Sequence, residues 1–221
     1  MVAIKLEGVS IKYGTNVVID NASLEISEGD FCCVVGANGA GKSTLIRGIL
    51  GLNKISSGNI QCDVSRVGYL PQESKIDMYF PATVMEIVLS GNLGRMGRRM
   101  FYSDDEKGRA KKSLETLGII DLARQKFASL SGGQKQKVLL ARALTAAKDI
   151  LILDEPSNNL DHDSRAEFYQ ILKKLNRERK MTIVMITHDL DADDLIGNKV
   201  VLIKQGKVST HKTADFIRSF K

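Results

Sequence analysis

The chain has 221 residues, of which 43% are hydrophobic and 26% are charged, and these proportions are typical of a globular protein. No apolar run approaches the roughly 18 residues that a membrane-spanning helix needs, so the composition argues against an integral membrane protein. The formal net charge of +6 suits a polyanionic ligand. Aromatic residues make up only 5% of the chain, too few for a platform that stacks nucleic-acid bases.

The N-terminal 30 residues alternate short apolar runs with turn residues, and this pattern predicts an antiparallel β region. The apolar runs cover residues 4–9, 17–19 and 22–26. We therefore interpret the N-terminus as a strand and not as a signal peptide. A continuous apolar run at residues 31–35 indicates a buried strand, so Cys32 and Cys33 are expected to be small core side chains, and Cys62 stands alone.

A glycine-rich loop of the form G-x-x-x-x-G-K-S follows this strand. Its residues are Gly36, Ala37, Asn38, Gly39, Ala40, Gly41, Lys42 and Ser43. The glycines allow backbone N–H groups to face a phosphate, and the helix predicted at residues 44–50 directs its positive end at the same anion. Lys42 can contact the β- and γ-phosphates of a nucleotide, Ser43 can bind Mg²⁺, and Thr44 can assist from the next position. The sequence therefore predicts that ATP and Mg²⁺ bind here.

The middle of the chain changes from strands to helices. A turn is expected at Ser57-Gly58 and a strand at residues 66–70. Helical spacing of apolar residues predicts helices at residues 83–89 and 106–117, with a loop or broken helix at 91–103 between them. A further helix is expected where Ser131 can serve as N-cap residue and residues 134–146 have helical spacing.

The last third of the chain has a βαβ pattern. Short apolar runs at residues 150–153 and 182–186 predict buried strands, with a helix at 164–175 between them. The remaining predicted elements are a hairpin (residues 200–203 and 207–209) and a terminal helix (215–220).

Asp154 and Glu155 follow the strand predicted at residues 150–153. A carboxylate at the end of a buried strand, beside a phosphate loop, can reach Mg²⁺ directly or through water, and we assign this role to Asp154. Glu155 is the next residue and therefore faces a different direction. The alternative is that both carboxylates are simply solvated at a strand end.

The stretch Leu-Ser-Gly-Gly-Gln at residues 130–134 lies shortly before the two carboxylates and far downstream of the phosphate loop. In this order and spacing, the motifs resemble those of the ATP-binding-cassette (ABC) ATPases. The resemblance covers essentially the whole chain and implies an α/β fold: a P-loop NTPase (RecA-like) core with an N-terminal antiparallel β region and an inserted α-helical subdomain. It implies one ABC ATPase domain over residues 1–221, with a catalytic lobe of residues 1–72 and 148–221 and a helical subdomain of residues 73–147.

The same resemblance assigns roles in the nucleotide site. Glu155 resembles the general base that activates the attacking water, a contribution on the order of 10²–10⁴-fold in rate. His188 resembles the switch histidine that contacts the γ-phosphate and orients the water. Gln72 resembles the glutamine that joins the two lobes and contacts Mg²⁺ or the lytic water. Tyr13 resembles the aromatic residue that stacks on adenine; the alternative is a strand aromatic residue in the core.

A second anion site is predicted where a helix begins with bare backbone N–H groups. Its residues are Ser131, Gly132, Gly133 and Gln134. In ABC ATPases this site serves the ATP of the opposing subunit, and residues 157–161 resemble the loop that crosses the interface. The resemblance therefore implies a head-to-tail dimer, taken here as a homodimer, that encloses two ATP molecules. Lys137 stands where many relatives have Arg, and a Lys lacks the planar fork of a bidentate contact.

Without a membrane span of its own, the chain is expected to work with separate integral membrane permease subunits and a solute-binding protein. The ATPase would then lie peripherally at the cytoplasmic face of the cell membrane. Residues 76–91 resemble the matching region of zinc and manganese importer ATPases, with iron-chelate importers similar here, so we expect metal-ion import.

Two alternatives to this function remain open from the sequence. One is a non-transport ABC ATPase, for example in iron–sulfur cluster assembly. The other is a nucleic-acid-binding ATPase, which only the net charge and residues 94–99 favour. We expect no nucleic-acid partner, because a basic loop of this kind is more often simply solvated.

Overall fold

The computed structural model of the protein describes residues 1–72, 81–158, 160–188 and 195–219. Its strands are β1 (Val2–Tyr13), β2 (Asn16–Ser27), β3 (Phe31–Val35), β4 (Ser57–Cys62), β5 (Val67–Leu70), β6 (Ile150–Asp154), β7 (Thr182–Ile186), β8 (Lys199–Lys204) and β9 (Lys207–Lys212). Its α-helices are α1 (Lys42–Ile49), α2 (Val84–Leu89), α3 (Leu93–Met96), α4 (Asp104–Thr116), α5 (Gly132–Ala146), α6 (His162–Arg179) and α7 (Thr213–Arg218). No helix within these four ranges is both long and apolar enough to span a bilayer. Three parts of the predictions lie outside the described residues. They are residues 76–80 of the segment that resembles zinc and manganese importer ATPases, Asn159 and Phe220.

One sheet has the strand order β5-β6-β7-β3-β8-β9. The strands from β5 to β8 pair in parallel, and the edge strand β9 pairs antiparallel with β8. In a parallel sheet the carboxyl ends of the strands lie at the same edge, where ligands bind in open α/β folds. The phosphate loop after β3, the carboxylates at the end of β6 and His188 after β7 therefore lie at one edge.

The side chains of this sheet alternate between two hydrophobic cores, one on each face. Cys33 and Val35 of β3 belong to the core that includes side chains of α2, α4, α5 and α6. Cys32 and Val34 belong to the core that includes side chains of α1, β1 and β2. Both cysteines are fully buried, which confirms the prediction that they are core residues.

β2, β1 and β4 form an antiparallel sheet, as predicted for the N-terminal region. Two predicted runs form the single strand β2, which passes through Asn21 in a left-handed conformation (φ 48°). The turn predicted at Ser57-Gly58 is wrong, because these residues begin β4. Gly58 has a φ of 85°, and a Cβ there would lie 2.4 Å from the carbonyl oxygen of Gly8. This glycine therefore permits a close approach to β1 and does not mark a turn.

The chain between β5 and β6 is helical in its described part, and three of its helices begin at capping boxes. Thr83, Ser103 and Ser131 cap α2, α4 and α5, and each hydroxyl accepts a hydrogen bond from the N–H three residues later. The stretch 91–103 is a broken helix, as predicted. A 3₁₀ turn at Ser90–Asn92 leads into the short α3, and the chain then leaves the helical conformation until α4.

The predicted βαβ unit is confirmed by β6, α6 and β7, whose two strands are parallel neighbours. α6 extends beyond both predicted ends; Asp161 caps its N-terminus by accepting a hydrogen bond from the N–H of Ser164. The predicted hairpin is confirmed by β8 and β9, although β9 continues to Lys212. α7 begins at Thr213, earlier in the chain than predicted.

α5 packs directly on β5 at Gly68. A Cβ at this position would lie 2.1 Å from the carbonyl oxygen of Ala143 and 2.8 Å from the Cβ of Ala147. We predict that Gly68→Ala lowers the free energy of unfolding by about 1–3 kcal/mol, because the strand and the helix must move apart. For a chain of this size the loss corresponds to a fall in Tm of roughly 2–12 °C, which circular dichroism can measure.

Gly108→Ala is the matched control. Gly108 lies in α4, and a Cβ there would meet no heavy atom within 4 Å. Because alanine is favoured over glycine inside a helix, the free energy of unfolding of this variant should rise by about 0.5–1 kcal/mol. Equal melting temperatures for the two variants would contradict the packing of α5 on β5.

Candidate nucleotide-binding site

The loop from Gly36 to Gly41 connects β3 to α1 at the carboxyl edge of the parallel sheet. Gly36 lies against β8, and a Cβ there would be 2.4 Å from the carbonyl oxygen of Ile203. Gly41 is the N-cap residue of α1 and has a φ of 103°, which residues with a Cβ rarely adopt. The path of the loop into α1 therefore requires glycine at both positions.

Lys42, the first residue of α1, is buried with 6% of its surface exposed. Its Nζ donates hydrogen bonds to the carbonyl oxygens of Gly36 (2.8 Å) and Ala37 (3.2 Å). A buried ammonium group requires such partners. These contacts hold its positive charge at the loop, where it can act on an anion together with the N-terminal amides of α1.

A cavity of about 440 Å³ opens beside the phosphate loop. It is formed by the loop, the first turn of α1, the residue pair Gln72 and Glu155, and one side chain of β2. Its lining residues are Val18, Asn38, Gly39, Gly41, Lys42, Ser43, Thr44, Gln72 and Glu155. The structure thus brings together predicted site residues from distant parts of the sequence, and adds Val18, which was not predicted.

Ser43 and Asp154 are in direct contact, since the Ser43 hydroxyl donates a hydrogen bond to Oδ1 of Asp154 at 3.3 Å. Asp154 is buried, and burial raises the pKa of its carboxyl; the hydrogen bond from Ser43 lowers this pKa and the charge of Glu155 raises it. A buried carboxylate of this kind is stabilised by a cation. Hydroxyl and carboxylate oxygens are ligands that Mg²⁺ prefers, so the two residues fit a magnesium site.

Two further neighbours of Asp154 were not found from the sequence. Arg47 lowers the pKa of the Asp154 carboxyl through its charge, and Tyr69 lowers it through a hydrogen bond. A signal existed for Arg47, which lies four residues after Ser43 and therefore on the same face of α1. Tyr69 could be found only by knowing that β5 is the neighbour of β6.

Glu155 has a left-handed backbone conformation (φ 48°), which turns the chain sharply at the end of β6. Its Oε2 accepts hydrogen bonds from Nε2 of Gln72 (2.9 Å) and from Nδ2 of Asn158. The same oxygen lies 3.8 Å from Nδ1 of His188. The structure therefore brings the predicted residues Gln72, Glu155 and His188 together, and it adds Asn158 as a neighbour that the sequence did not reveal.

Tyr13 lies at the end of β1 and is half exposed, with 50% of its surface accessible. The alternative that it is a core aromatic residue is therefore wrong. Its hydroxyl accepts a hydrogen bond of 2.7 Å from Nδ2 of Asn53, which follows α1. The exposed ring is free of the core and available to stack on a planar ligand.

The N-terminus of α5 carries the Leu-Ser-Gly-Gly-Gln stretch. Ser131 Oγ accepts a hydrogen bond from the N–H of Gln134 (3.3 Å), and Gln134 Oε1 accepts one from the N–H of Ser131 (3.0 Å). The helix already begins at Gly132, earlier than its predicted spacing. Within the described chain, residues 131–134 are absent from the lining of the phosphate-loop cavity. The N-terminus of α5 is thus a second helix N-terminus, in addition to that of α1, and its residues are not among those that line this cavity.

Two contacts tie the first turns of α5 to its neighbours, one to the segment just after Glu155 and one to α6. Nε2 of Gln136 donates a 2.6 Å hydrogen bond to the carbonyl oxygen of Pro156. Nζ of Lys137 lies 2.6 Å from Oε1 of Glu167 on α6. Lys137 thus makes a single-point ion pair, as expected for a lysine in place of an arginine.

Comparison with known proteins adds an independent line of support. The sequence profile of the ABC transporter family matches residues 19–158. The chain is 36% identical over 214 residues to the high-affinity zinc uptake system ATP-binding protein ZnuC of Bacillus subtilis, which covers 92% of this chain and 92% of that protein. It is 35% identical over 218 residues to the manganese transport system ATP-binding protein MntB of the same species, which covers 95% of this chain and 86% of that protein.

Among solved structures, the fold is similar to that of a bacterial ABC transporter cassette determined as a dimer. The TM-score is 0.80 at 29% sequence identity, and the match covers 95% of this chain and 98% of that chain. The profile match spans more than half of the chain and includes the phosphate loop, the Leu-Ser-Gly-Gly-Gln stretch and the two carboxylates. The chain therefore belongs to the ABC transporter family, as one of its ATP-binding proteins.

Proposed function

We propose that this chain hydrolyses ATP as the nucleotide-binding subunit of a metal-ion importer and that it does so as a head-to-tail dimer. Of the two relatives described above, one is named for zinc uptake and the other for manganese transport. The metal ion would be the cargo of the assembly and would pass through other subunits. Mg²⁺, in contrast, would be the cofactor of the nucleotide site.

The separation of the two anion-binding helix ends carries the proposal of a dimer. α1 begins at the phosphate loop, whereas α5 begins at residues that do not line its cavity. A helix N-terminus favours an anion through its free N–H groups and its dipole. A second chain, turned head to tail, can place its α5 against the γ-phosphate that the first chain holds, and a related cassette is known as a dimer.

Each chain would bind one ATP with its own phosphate loop. The loop amides and Lys42 would bind the β- and γ-phosphates, and the exposed ring of Tyr13 would stack on adenine. Ser43 and Asp154 would hold Mg²⁺, and Gln72, which lines the same cavity as Ser43, would join them. Bound there, the cation would neutralise the charge that develops on the phosphate oxygens.

Hydrolysis would use the cluster around Glu155. Its carboxylate would accept a proton from the attacking water, and His188 would contact the γ-phosphate and orient that water. Ser131 and the two glycines after it, supplied by the second chain, would bind the same phosphate from the other side. A monomer would then bind ATP but lack the groups of the second α5 that would stabilise the transition state.

The helical part of the chain would transmit this cycle to membrane permease subunits at the cytoplasmic face of the membrane. It stands between β5 and β6, which carry Gln72 and Glu155 near their carboxyl ends. A shift of the helices on ATP binding would therefore change the position of Gln72, whose amide contacts Glu155. A separate solute-binding protein would deliver the metal ion to the permease.

Glu155→Gln should trap a dimer that contains ATP. The variant keeps the shape of the side chain and loses the base, so ATP is bound and not hydrolysed. We expect size-exclusion chromatography with light scattering to show a dimer in ATP and a monomer without nucleotide.

The double variant Glu155→Gln/Ser131→Arg is the matched control for this trap. It keeps the phosphate loop intact and places a bulky side chain at the N-terminus of α5, so it should bind ATP in calorimetry and remain a monomer. A dimer of the double variant that forms as readily as that of Glu155→Gln would contradict a role of α5 at the interface.

Asp154→Asn should increase stability and remove magnesium-dependent activity. Because the native pKa of this carboxyl is raised, the native state binds more protons than the unfolded state in the window between the two pKa values, and stability falls as pH rises through that window. The amide removes this penalty. At neutral pH without Mg²⁺ we therefore expect a higher Tm than that of the wild-type chain, measured by circular dichroism. A lower Tm in the presence of a chelator would contradict this account of the site.

Metal import can be tested with the purified assembly. A polytopic membrane protein that co-purifies with the chain should be reconstituted with it in vesicles, together with the cognate solute-binding protein. We expect ATP-dependent uptake of zinc or manganese that is lost with Lys42→Ala. Vigorous ATP hydrolysis in this assembly with no uptake of either metal, or of a chelated iron, would overturn the metal assignment and leave the ATPase assignment intact.

A further inference from the structure

The amide of Asn158 contacts the carboxylate to which the proposed function assigns proton transfer. Nδ2 of Asn158 donates to Oε2 of Glu155, and the backbone N–H of Asn158 donates to the carbonyl oxygen of the same residue at 3.3 Å. Asn158 thus makes two hydrogen bonds to Glu155 within one turn, one from its side chain and one from its backbone. This local arrangement limits the rotation of the Glu155 side chain, in addition to the contact from Gln72.

The turn that carries Asn158 is fixed by three other elements. The N–H of Glu155 donates to the carbonyl oxygen of Ile186 at the end of β7 (3.2 Å). Gln136 of α5 donates to the carbonyl oxygen of Pro156. Tyr169 of α6 donates its hydroxyl to Oγ of Ser157 in a buried contact of 3.0 Å. Asn158 therefore projects from a turn that is hydrogen-bonded to three other elements.

Gln72 donates to the same oxygen of Glu155 but has a different attachment. It follows β5 and reaches Glu155 from a different part of the chain. Asn158, in contrast, belongs to the same turn as Glu155.

We infer that Asn158 is a positioning residue for ATP hydrolysis: its amide holds Oε2 of Glu155, so that Oε1 is presented to the attacking water. The inference rests on the proposed function, in which Glu155 is the base. Asn158 itself touches neither the nucleotide nor the water in this role. A carboxylate held in one rotamer keeps its acceptor within reach of the water, and small misplacements of such a group are costly in rate.

Steady-state ATPase kinetics of the full chain test this role. Asn158→Ala should lower kcat by about tenfold and leave KM for ATP within about twofold, because the base is misplaced while the phosphate loop is intact. Asn158→Asp has the same shape without the N–H donor, so it should not restore kcat. A wild-type kcat in either variant would overturn the inference.

A second measurement separates positioning from a role at the interface. In the Glu155→Gln background, Asn158→Ala should leave the ATP-bound dimer intact, with an unchanged concentration of ATP at half-saturation. If the dimer is lost, Asn158 acts through subunit contact and the inference is wrong. If Glu155→Gln alone forms no dimer, the proposed function fails, and that outcome is distinct from a failure of the Asn158 inference.

Discussion

The N-terminus of α5 is the feature on which the functional account depends. It begins with two glycines, Gly132 and Gly133, and a helix N-terminus of this kind has N–H groups without intrahelical partners and a helix dipole behind them. Its capping box uses Ser131 and Gln134 to satisfy part of this end. The cavity beside the phosphate loop lies elsewhere in the same chain. Only one of these two helix ends lies at the phosphate-loop cavity of its own chain, and this observation is the basis of the proposed head-to-tail dimer.

α5 is held in place by contacts with the central sheet, with the segment after Glu155 and with α6. α5 packs on β5 at Gly68, and its first turns are joined to Pro156 by Gln136 and to α6 by Lys137. An anion bound at the N-terminus of α5 could therefore shift this helix, and the shift would reach the segment just after Glu155 through Gln136. In a symmetric dimer this contact would connect the phosphate of one site to the base of the other. In the proposed dimer, such a connection would couple the use of the two sites.

Two charged side chains are buried at the edge of the sheet where the phosphate loop lies, and a bound nucleotide and Mg²⁺ would neutralise them. Lys42 is buried against loop carbonyl groups, and Asp154 is buried with a raised carboxyl pKa. Neither group has the solvation it would have in water. A bound phosphate and a bound cation would restore favourable partners to both, so part of the binding free energy comes from relief of these costs.

Much of the fold was predictable where local chemistry decides the outcome. The apolar run of β3, the N-cap at Ser131 and the strand end at Asp154 are local signals, and the structure confirms these elements. The error at Ser57-Gly58 arose because a glycine needed for a close approach to β1 resembles a turn glycine in sequence.

Contacts between distant segments could not be predicted in the same way. The bonds from Asn53 to Tyr13 and from Tyr69 to Asp154 join residues that are brought together only by packing. The contact of Asn158 with Glu155 is local in sequence, but Glu155 has a left-handed backbone conformation. A glutamate seldom adopts this conformation, so the residue type does not predict it.

The most direct test of the shared site is the dependence of specific ATPase activity on chain concentration, measured together with the mass of the particles in solution. The account predicts that activity per chain falls in step with the fraction of dimer on dilution, while ATP binding per chain is unchanged. Constant activity per chain at concentrations where every particle has the mass of a monomer would contradict it.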